Sequence, residues 1–493
     1  MKMDMNKAEE PSKQERDNVK NRIIYLLVVI GSLFILLIVY LTYFKLTTSD
    51  RIVSNSYNRR NWEKENNIIR GSITDRNGVV VAKSVKKDGK NERVYPFNEL
   101  YSHIVGYNSK AYGRTLLEAT YNNYLLGNTG VGAAFNFTQN GQSDNTGDSL
   151  VLTIDNRLQQ KAAALMEGKQ GAVVAMNPAT GEILAMVSKP DFNPNSSSLS
   201  ENWQELAESD QHPFFPRATQ GLYAPGSTFK IITTAAAIKA GLRDFTFKDS
   251  GAVTIDGKIF SNSGGKAHGT LDLKKAFAVS SNVFFAKLGV ETGDDRIRGE
   301  AESMGMNRDI PFDISLKKSV FPSGGLGTSK ADVAAEAIGQ GKVLVTPLQM
   351  ALITSCIANG GTIMEPMLVS QIVSPKGSVV KSFAAKEYSK ALDKAVVQAI
   401  GEAMREAVVS GTGKRAAVSG IHVAGKTGTA QNEQTTEEKG SEHAWFTGYA
   451  PYENPRIAVT VILEYSGATG GEAAAPIAAR LIKEYMSYAS SKK

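Results

Sequence analysis

Ser227 and Lys230 stand three residues apart in the string Tyr-Ala-Pro-Gly-Ser-Thr-Phe-Lys that begins at Tyr223. At the start of a helix that spacing puts both side chains on one face. An amine beside a hydroxyl can take its proton and make a nucleophile without any histidine. Pro225-Gly226 reads as a turn, and the stretch after it (STFKIITTAAAIKA, 227–240) is rich in helix formers. Ser227 therefore falls at a helix N-terminus, where the macrodipole favours developing negative charge. A serine there can equally be an ordinary N-cap. The spacing alone decides little, because Ser-x-x-Lys also begins at Ser84, Ser263, Ser315, Ser378 and Ser490.

Two other clusters could complete such a site. Ser280-Ser281-Asn282 separates two helical runs, 271–279 and 283–290, so its polar groups can project from a short connection. Taken singly it is a weak signal, since Ser-x-Asn recurs from Ser56, Ser143 and Ser200. Lys426-Thr427-Gly428 occurs once, in a strand-like run at 423–430, with Thr429 next to it. A glycine inside a strand lets another backbone or a ligand approach closely. Lys426 and Thr427 offer donors for a carboxylate there; the competing reading is a solvated strand edge.

These residues need a scaffold, and the chain is long enough to supply one. Its 493 residues with 42% hydrophobic content suit about two or three domains. Residues 23–44 (IIYLLVVIGSLFILLIVYLTYF) contain no charge and no proline, and roughly 20 such residues cross a bilayer's hydrocarbon core. With no short apolar region and small-residue cleavage site, the reading is an uncleaved single-span anchor behind a cytoplasmic tail at 1–22. Lys and Arg number five on each flank (Lys7, Lys13, Arg16, Lys20, Arg22 against Lys45, Arg51, Arg59, Arg60, Lys64), so charge bias leaves the orientation open. The 22-residue tail is too short for a working domain, and all recognisable chemistry follows the span.

After the span, 45–70 reads as a helical stalk. Ser72-Ile73-Thr74, the turn Asp75-Arg76-Asn77-Gly78 and Val79-Val80-Val81 read as a hairpin. Stalk and small module together occupy 45–146, and the polar run 139–149 (QNGQSDNTGDS) reads as a linker or long loop. The second domain, 147–493, is expected to open with a strand at 150–154 and a helix at 156–168. A hairpin (171–176 and 182–187) and the Ser227 helix follow. Helices then dominate to about 407, and strands at 423–430, 445–449 and 457–464 precede an amphipathic helix at 476–489. Strands at both ends with helices between imply one sheet assembled from distant segments.

Cys356 is the single cysteine, inside the apolar run 351–358, so an intrachain disulfide is excluded and a buried inert thiol expected. The net charge of +7 suits an anionic surface, though a solvated exterior accounts for it as well. The five histidines (His103, His212, His268, His422, His443) are scattered. No metal or nucleotide motif is present, so no metal, no cofactor and no nucleic-acid partner is expected.

Ser-x-x-Lys, Ser-x-Asn and Lys-Thr-Gly in this order form the set found in β-lactamases and penicillin-binding proteins. Over nearly the whole chain beyond the anchor, the sequence resembles a class B penicillin-binding protein, a peptidoglycan D,D-transpeptidase lacking a glycosyltransferase domain. Arg70-Gly71-Ser72-Ile73-Thr74-Asp75-Arg76-Asn77-Gly78 is similar to the signature opening that family's N-terminal module. Ala337-Ile338-Gly339-Gln340-Gly341, Thr346-Pro347-Leu348-Gln349-Met350-Ala351 and His443-Ala444-Trp445-Phe446-Thr447-Gly448-Tyr449-Ala450-Pro451 resemble further family stretches. The short module most resembles the smaller, division-type members. Pro216 stands where relatives often have Asn, and Leu116 where a Gly is expected.

The resemblance implies an α/β (α+β) fold, a β-lactamase-like transpeptidase domain with a central antiparallel sheet flanked by helices. A small N-terminal α+β module and one transmembrane helix complete it. It implies Ser227 as nucleophile, Lys230 as general base, and Ser280 and Asn282 as proton relay and support for Lys230. Lys426, Thr427, Gly428 and Thr429 form the substrate-binding strand, with the N–H groups of Ser227 and Thr429 as oxyanion hole. Peptidoglycan stem peptides and β-lactams are the implied ligands. A SEDS-family glycan polymerase and other division proteins are implied partners, and the catalytic domain is placed outside the cell membrane.

Rival readings are a β-lactamase, a D-Ala-D-Ala carboxypeptidase and a non-catalytic scaffold activating a SEDS polymerase. A class A β-lactamase needs a deacylating glutamate in Glu-x-x-Leu-Asn, which is missing here. Class D enzymes have Ser-x-Val where this chain has Asn282.

Overall fold

The computed structural model describes residues 13–44, 68–87, 89–127, 146–322, 328–430 and 442–489. The expected stalk at 45–67 and most of the expected linker at 139–145 lie outside the described residues. Two units partition the chain, 1–62 and 63–493.

The first unit holds one helix, Lys13–Phe44. Within Asp17–Phe44 the most apolar 18-residue window has a mean hydropathy of 3.0 and none of it is buried, which fits a span of about 20 residues or more. Ser32 and Thr42 donate their hydroxyls to the carbonyls of Val28 and Ile38, 2.8 Å each, so the helix satisfies its own polar side chains.

In the second unit a five-stranded antiparallel sheet runs in the order Ala424–Ala430, His443–Ala450, Ile457–Leu463, Gly171–Met176, Ile183–Lys189. Side chains alternate across it with period two. Val174, Met176 and Trp445 join the core under the helix Pro347–Ala358. Val173, Ala175 and Phe446 join a second core under Asn156–Leu165 and Ala474–Ala489. Both faces are covered, which is why these strands read as continuous apolar runs. Cys356 lies buried in the Pro347–Ala358 helix, whose N-terminus is capped by Thr346 accepting from the Gln349 N–H.

The Asn-Gly hairpin forms as read: Ile73–Thr74 pairs with Val80–Lys87 around Gly78, which sits at φ +83°. The Asp75 carboxylate fixes the turn by accepting from the N–H groups of Asn77 and Val79, 2.8 Å each. The strand expected to open the second domain behaves differently. Ser149–Leu152 pairs in parallel with Ile73–Thr74 and antiparallel with Val369–Val373, inside a six-stranded sheet. A hairpin alone is marginal in water, and this one buries Ile73 only by recruiting strands from across the 146/147 boundary. The region expected to be mainly helical also holds eight short strands, from Thr246–Asp249 to Glu387–Lys390. Most of them are largely exposed with no apolar alternation, so no periodic signal announces them.

The N-terminal module is built around a buried carboxylate. Glu118 takes Arg70 Nε at 2.5 Å and Arg93 Nε at 2.7 Å, and Tyr95 donates its hydroxyl to it at 3.2 Å. Arg70 also donates to Asn122 Oδ1, and Arg93 to the Gly71 carbonyl. Burial alone would raise the Glu118 pKa, but the two guanidiniums hold it below its ordinary value. Leu116, at the start of the short helix carrying Glu118, has φ +49°. That conformation costs a non-glycine residue about 1–2 kcal/mol, and it explains why a glycine is the expected residue there. Glu118→Ala strands two buried guanidiniums, so unfolding should become easier by about 3–5 kcal/mol. Thermal melting of the full-length protein checks this; an unchanged midpoint refutes the hub.

Candidate active site

Gly226–Phe229 forms one tight turn that runs into the helix Lys230–Lys239. Ser227 is half-buried on that turn and faces a cavity of about 1020 Å³ lined also by Ser280, Asn282, Thr412, Thr427 and Thr429. Lys230 points the other way in exposure: it is fully buried. Its Nζ donates to the Ser280 carbonyl (2.8 Å), Ser280 Oγ (3.3 Å) and Asn282 Oδ1 (2.8 Å).

Ser280 can offer both groups because the chain turns sharply at it. The helix Leu273–Val279 ends there with Ser280 in the left-handed conformation, φ 62° and ψ 38°. The helix Asn282–Thr292 begins two residues later. Left-handed backbone at a residue other than glycine is a strained geometry that surrounding contacts must hold.

Lys426 arrives from the edge strand of the five-stranded sheet. It too is fully buried, and its Nζ donates to Ser280 Oγ (2.8 Å) and to the Thr427 carbonyl (3.1 Å). Lys230, Ser280, Asn282 and Lys426 are thus joined in one hydrogen-bonded group. Lys426 was read as a carboxylate donor, yet here its amine is occupied by Ser280 while Thr427 and Thr429 face the cavity. Ser227 Oγ lines that cavity without a hydrogen bond to Lys230 among the described contacts.

Neither amine makes an ion pair among the described residues. Burial pushes Lys230 well below its ordinary pKa, the Lys426 charge pushes it further, and Asp249 opposes both. Burial lowers Lys426 to about 7. With both amines donating to Ser280 Oγ, the serine's own proton is left to point elsewhere.

Close packing sets these elements in register. Gly428 pairs opposite Trp445, and a Cβ on it would lie 2.9 Å from the Pro225 carbonyl oxygen, so the strand can lie against the serine turn only with glycine there. From behind, the Gly226 N–H donates to the Gly339 carbonyl at 2.9 Å. Gly339 has φ +75°, and a Cβ on it would meet the Gly226 oxygen at 2.1 Å. Trp445 Nε1 donates to the Ala224 carbonyl at 3.1 Å. The stretches at 337–341 and 443–451 are therefore supports of the serine turn.

Residues without a sequence signal also reach the site. Thr412, after the helix Lys394–Val409, shares a hydrogen bond with Thr427 (Oγ1 to Oγ1, 2.6 Å). Glu464 takes the buried Arg217 Nε at 2.9 Å and the Tyr223 hydroxyl at 2.5 Å, tying the serine loop to the sheet. Among the described residues no cluster of acidic, histidine or cysteine side chains could hold a metal ion.

Comparison with known proteins agrees with this geometry. Residues 171–483 match the model of the penicillin binding protein transpeptidase domain, and 70–149 that of the penicillin binding protein A dimerisation domain. A peptidoglycan D,D-transpeptidase PbpA of Mycolicibacterium smegmatis is 34% identical over 477 residues, 91% of this chain and 96% of that protein. The ceftriaxone acyl-enzyme complex of penicillin-binding protein A from M. tuberculosis superposes with a TM-score of 0.78 at 32% identity, covering 85% of this chain and 99% of the other. A D,D-transpeptidase domain from Eggerthella lenta gives 0.77 at 33% identity, with 86% and 99% coverage. With the fold, the N-terminal apolar helix and the Ser-Lys, Ser-Asn and Lys-Thr-Gly elements in hand, the chain belongs to the class B penicillin-binding proteins, the family of serine D,D-transpeptidases.

Proposed function

We propose that Ser227 is the nucleophile of a membrane-anchored peptidoglycan transpeptidase and that Lys230 is its base. The observation that carries this reading is the buried Lys230 amine, three residues from Ser227, held only by neutral acceptors. Burial away from water and the neighbouring Lys426 charge favour its neutral, proton-accepting form over the pull of those acceptors.

Ser227 Oγ attacks the carbonyl of the penultimate D-Ala of a stem peptide as Lys230 takes its proton. The carbon–nitrogen bond to the terminal D-Ala breaks, and its nitrogen receives a proton through Ser280. An amine of a second stem peptide then attacks the ester, forms the crosslinking amide and frees Ser227. Asn282 holds Lys230, while Thr427 and Thr429 face the substrate carboxylate with Lys426 behind them. The cavity lining adds Lys258, Lys266, Lys414 and Arg415 against Glu442 and Glu472, a net cationic surface suited to an anionic peptide. Backbone N–H groups of Ser227 and Thr429 form the oxyanion hole, a device in which one donor is worth about 3–4 kcal/mol. β-Lactams acylate the same serine as mimics of D-Ala-D-Ala.

The catalytic unit lies outside the cytoplasm, where its wall substrate is; all of the chemistry follows the span. A partnership with a SEDS-family polymerase rests on the family resemblance alone.

Intact-mass and peptide-mapping measurements after brief exposure to benzylpenicillin test the assignment. A stable adduct on Ser227 is expected in the wild type, and Ser227→Ala should acylate at least about a thousandfold more slowly. Normal labelling of that variant sinks the assignment, and rapid drug hydrolysis without an adduct identifies a β-lactamase instead.

The pH dependence gives an independent check. Because the neutral amine is the reactive form and both lysines are shifted downward, the acylation rate should rise with pH. Its midpoint belongs to the coupled pair and should lie far below lysine's ordinary value, because burial lowers both amines and the Lys426 charge lowers Lys230 further. A rising limb near pH 10 removes Lys230 as base.

A further inference from the structure

The Ser280–Asn282 connection supplies every acceptor that holds Lys230, and the N–H groups of Ser280 and Ser281 tie it to the preceding helix. Two side chains from the preceding strands hold it from the other side. Asp249 ends the strand Thr246–Asp249 and Asn262 follows Lys258–Ser261; both are buried. Asp249 Oδ2 accepts from Ser281 Oγ at 2.7 Å, and both of its oxygens accept from Asn262 Nδ2 at 2.8 Å. Its Oδ1 also accepts from the Gly251 N–H at 2.8 Å.

Asn262 passes this anchoring on. Its Oδ1 accepts from the backbone N–H groups of Asn282 (2.8 Å) and Val283 (3.2 Å), and its Nδ2 also donates to the Lys266 carbonyl. Ser281 Oγ takes the next N–H, that of Phe284, at 2.9 Å. The first turn of the helix Asn282–Thr292 is therefore capped both by its own N-cap, Ser281, and by Asn262 from outside the helix. Next to Asn262, the Ser261 carbonyl accepts from Asn282 Nδ2 at 3.0 Å, which leaves Asn282 Oδ1 as the end facing Lys230.

We infer that Asp249 and Asn262 are positioning residues for the acylation reaction, acting through Ser281 and Asn282 to set the acceptors around Lys230. This rests on the assignment of Ser227 and Lys230 proposed above. The pair does more than brace a loop. Burial would raise Asp249, but the hydrogen bonds from Ser281, Gly251 and Asn262 hold its carboxyl below the usual range, so it remains an anion near Lys230. The charged and titratable groups facing this arrangement are Lys426, from the sheet edge, and His268, from the loop before Gly269–Asp272.

The test uses full-length protein and the rate of benzylpenicillin acylation across pH 5.5 to 9.5, with thermal melting of each variant. Asn262→Leu keeps the branched shape and removes every side-chain hydrogen bond. Asp249→Asn removes the anion. The exchange Asp249→Asn with Asn262→Asp rebuilds a donor and an acceptor in swapped positions. Each single variant should acylate about tenfold or more slowly and show a displaced rising limb. The exchange should return the rate to within about threefold of wild type.

Wild-type rates and an unmoved limb in Asn262→Leu overturn the inference. So does a loss of rate that tracks a lowered melting temperature, with an unmoved limb and no recovery in the exchange, because that is the behaviour of a merely structural pair. An adduct mapped away from Ser227 in the wild type overturns the proposed function itself and is read separately from the variants.

Discussion

Two lysine amines buried against a single serine hydroxyl, with no carboxylate paired to either, are the constraint around which this structure is organised. Removing an ammonium from water is costly, and an unpaired buried amine answers that cost by giving up its proton. What surrounds the amines here is a set of neutral oxygens, with the ring of Phe285 5.3 Å from Lys230 Nζ and that of Phe277 5.5 Å from Lys426 Nζ. Each amine comes from a different element, and Ser280 between them sits in a strained conformation. None of the three could hold this geometry in isolation. The surrounding core has to be rigid for the arrangement to persist.

That rigidity comes from unusually close backbone contacts. The edge strand lies against the serine turn through Gly428, and the turn lies against Gly339 from behind. Trp445 reaches across from the neighbouring strand to the Ala224 carbonyl. In each case a side chain is absent or a hydrogen bond present so that two backbones can approach. Ser227, the proposed nucleophile, is thereby held on a rigid support while its hydroxyl stays at the cavity wall. The proposed chemistry needs this division: water is excluded from the Lys230 amine but substrate must reach the Ser227 oxygen.

Much of the scaffold was legible because its signals are local or periodic. The Asn-Gly turn, the strands at 171–176 and 457–463, the amphipathic C-terminal helix and the apolar helix after residue 13 all follow from composition at fixed spacing. The short strands between 246 and 272 were not legible, since three- to five-residue exposed strands carry no period. Nor was the six-stranded sheet: Ser149–Leu152 reads as the opening of a second domain, and only its partners Ile73–Thr74 and Val369–Val373 reveal where it belongs. Asp249 and Asn262 were silent for the same reason, because their role depends on partners up to 32 residues away.

The sequence by itself determined which residue types could do chemistry, that a serine and a lysine stand three residues apart at a helix start, and that an apolar helix precedes them. Each of these depends on neighbours a few residues apart, where helix geometry and hydrophobic period dictate position. Only the tertiary structure decided that Lys426 gives its amine to Ser280 and that Asn282 presents its oxygen to Lys230. It alone showed that the amines are fully buried, and hence that their pKa values fall. Burial and orientation are properties of the packed core, set by contacts between segments distant in the chain, and no local pattern encodes them.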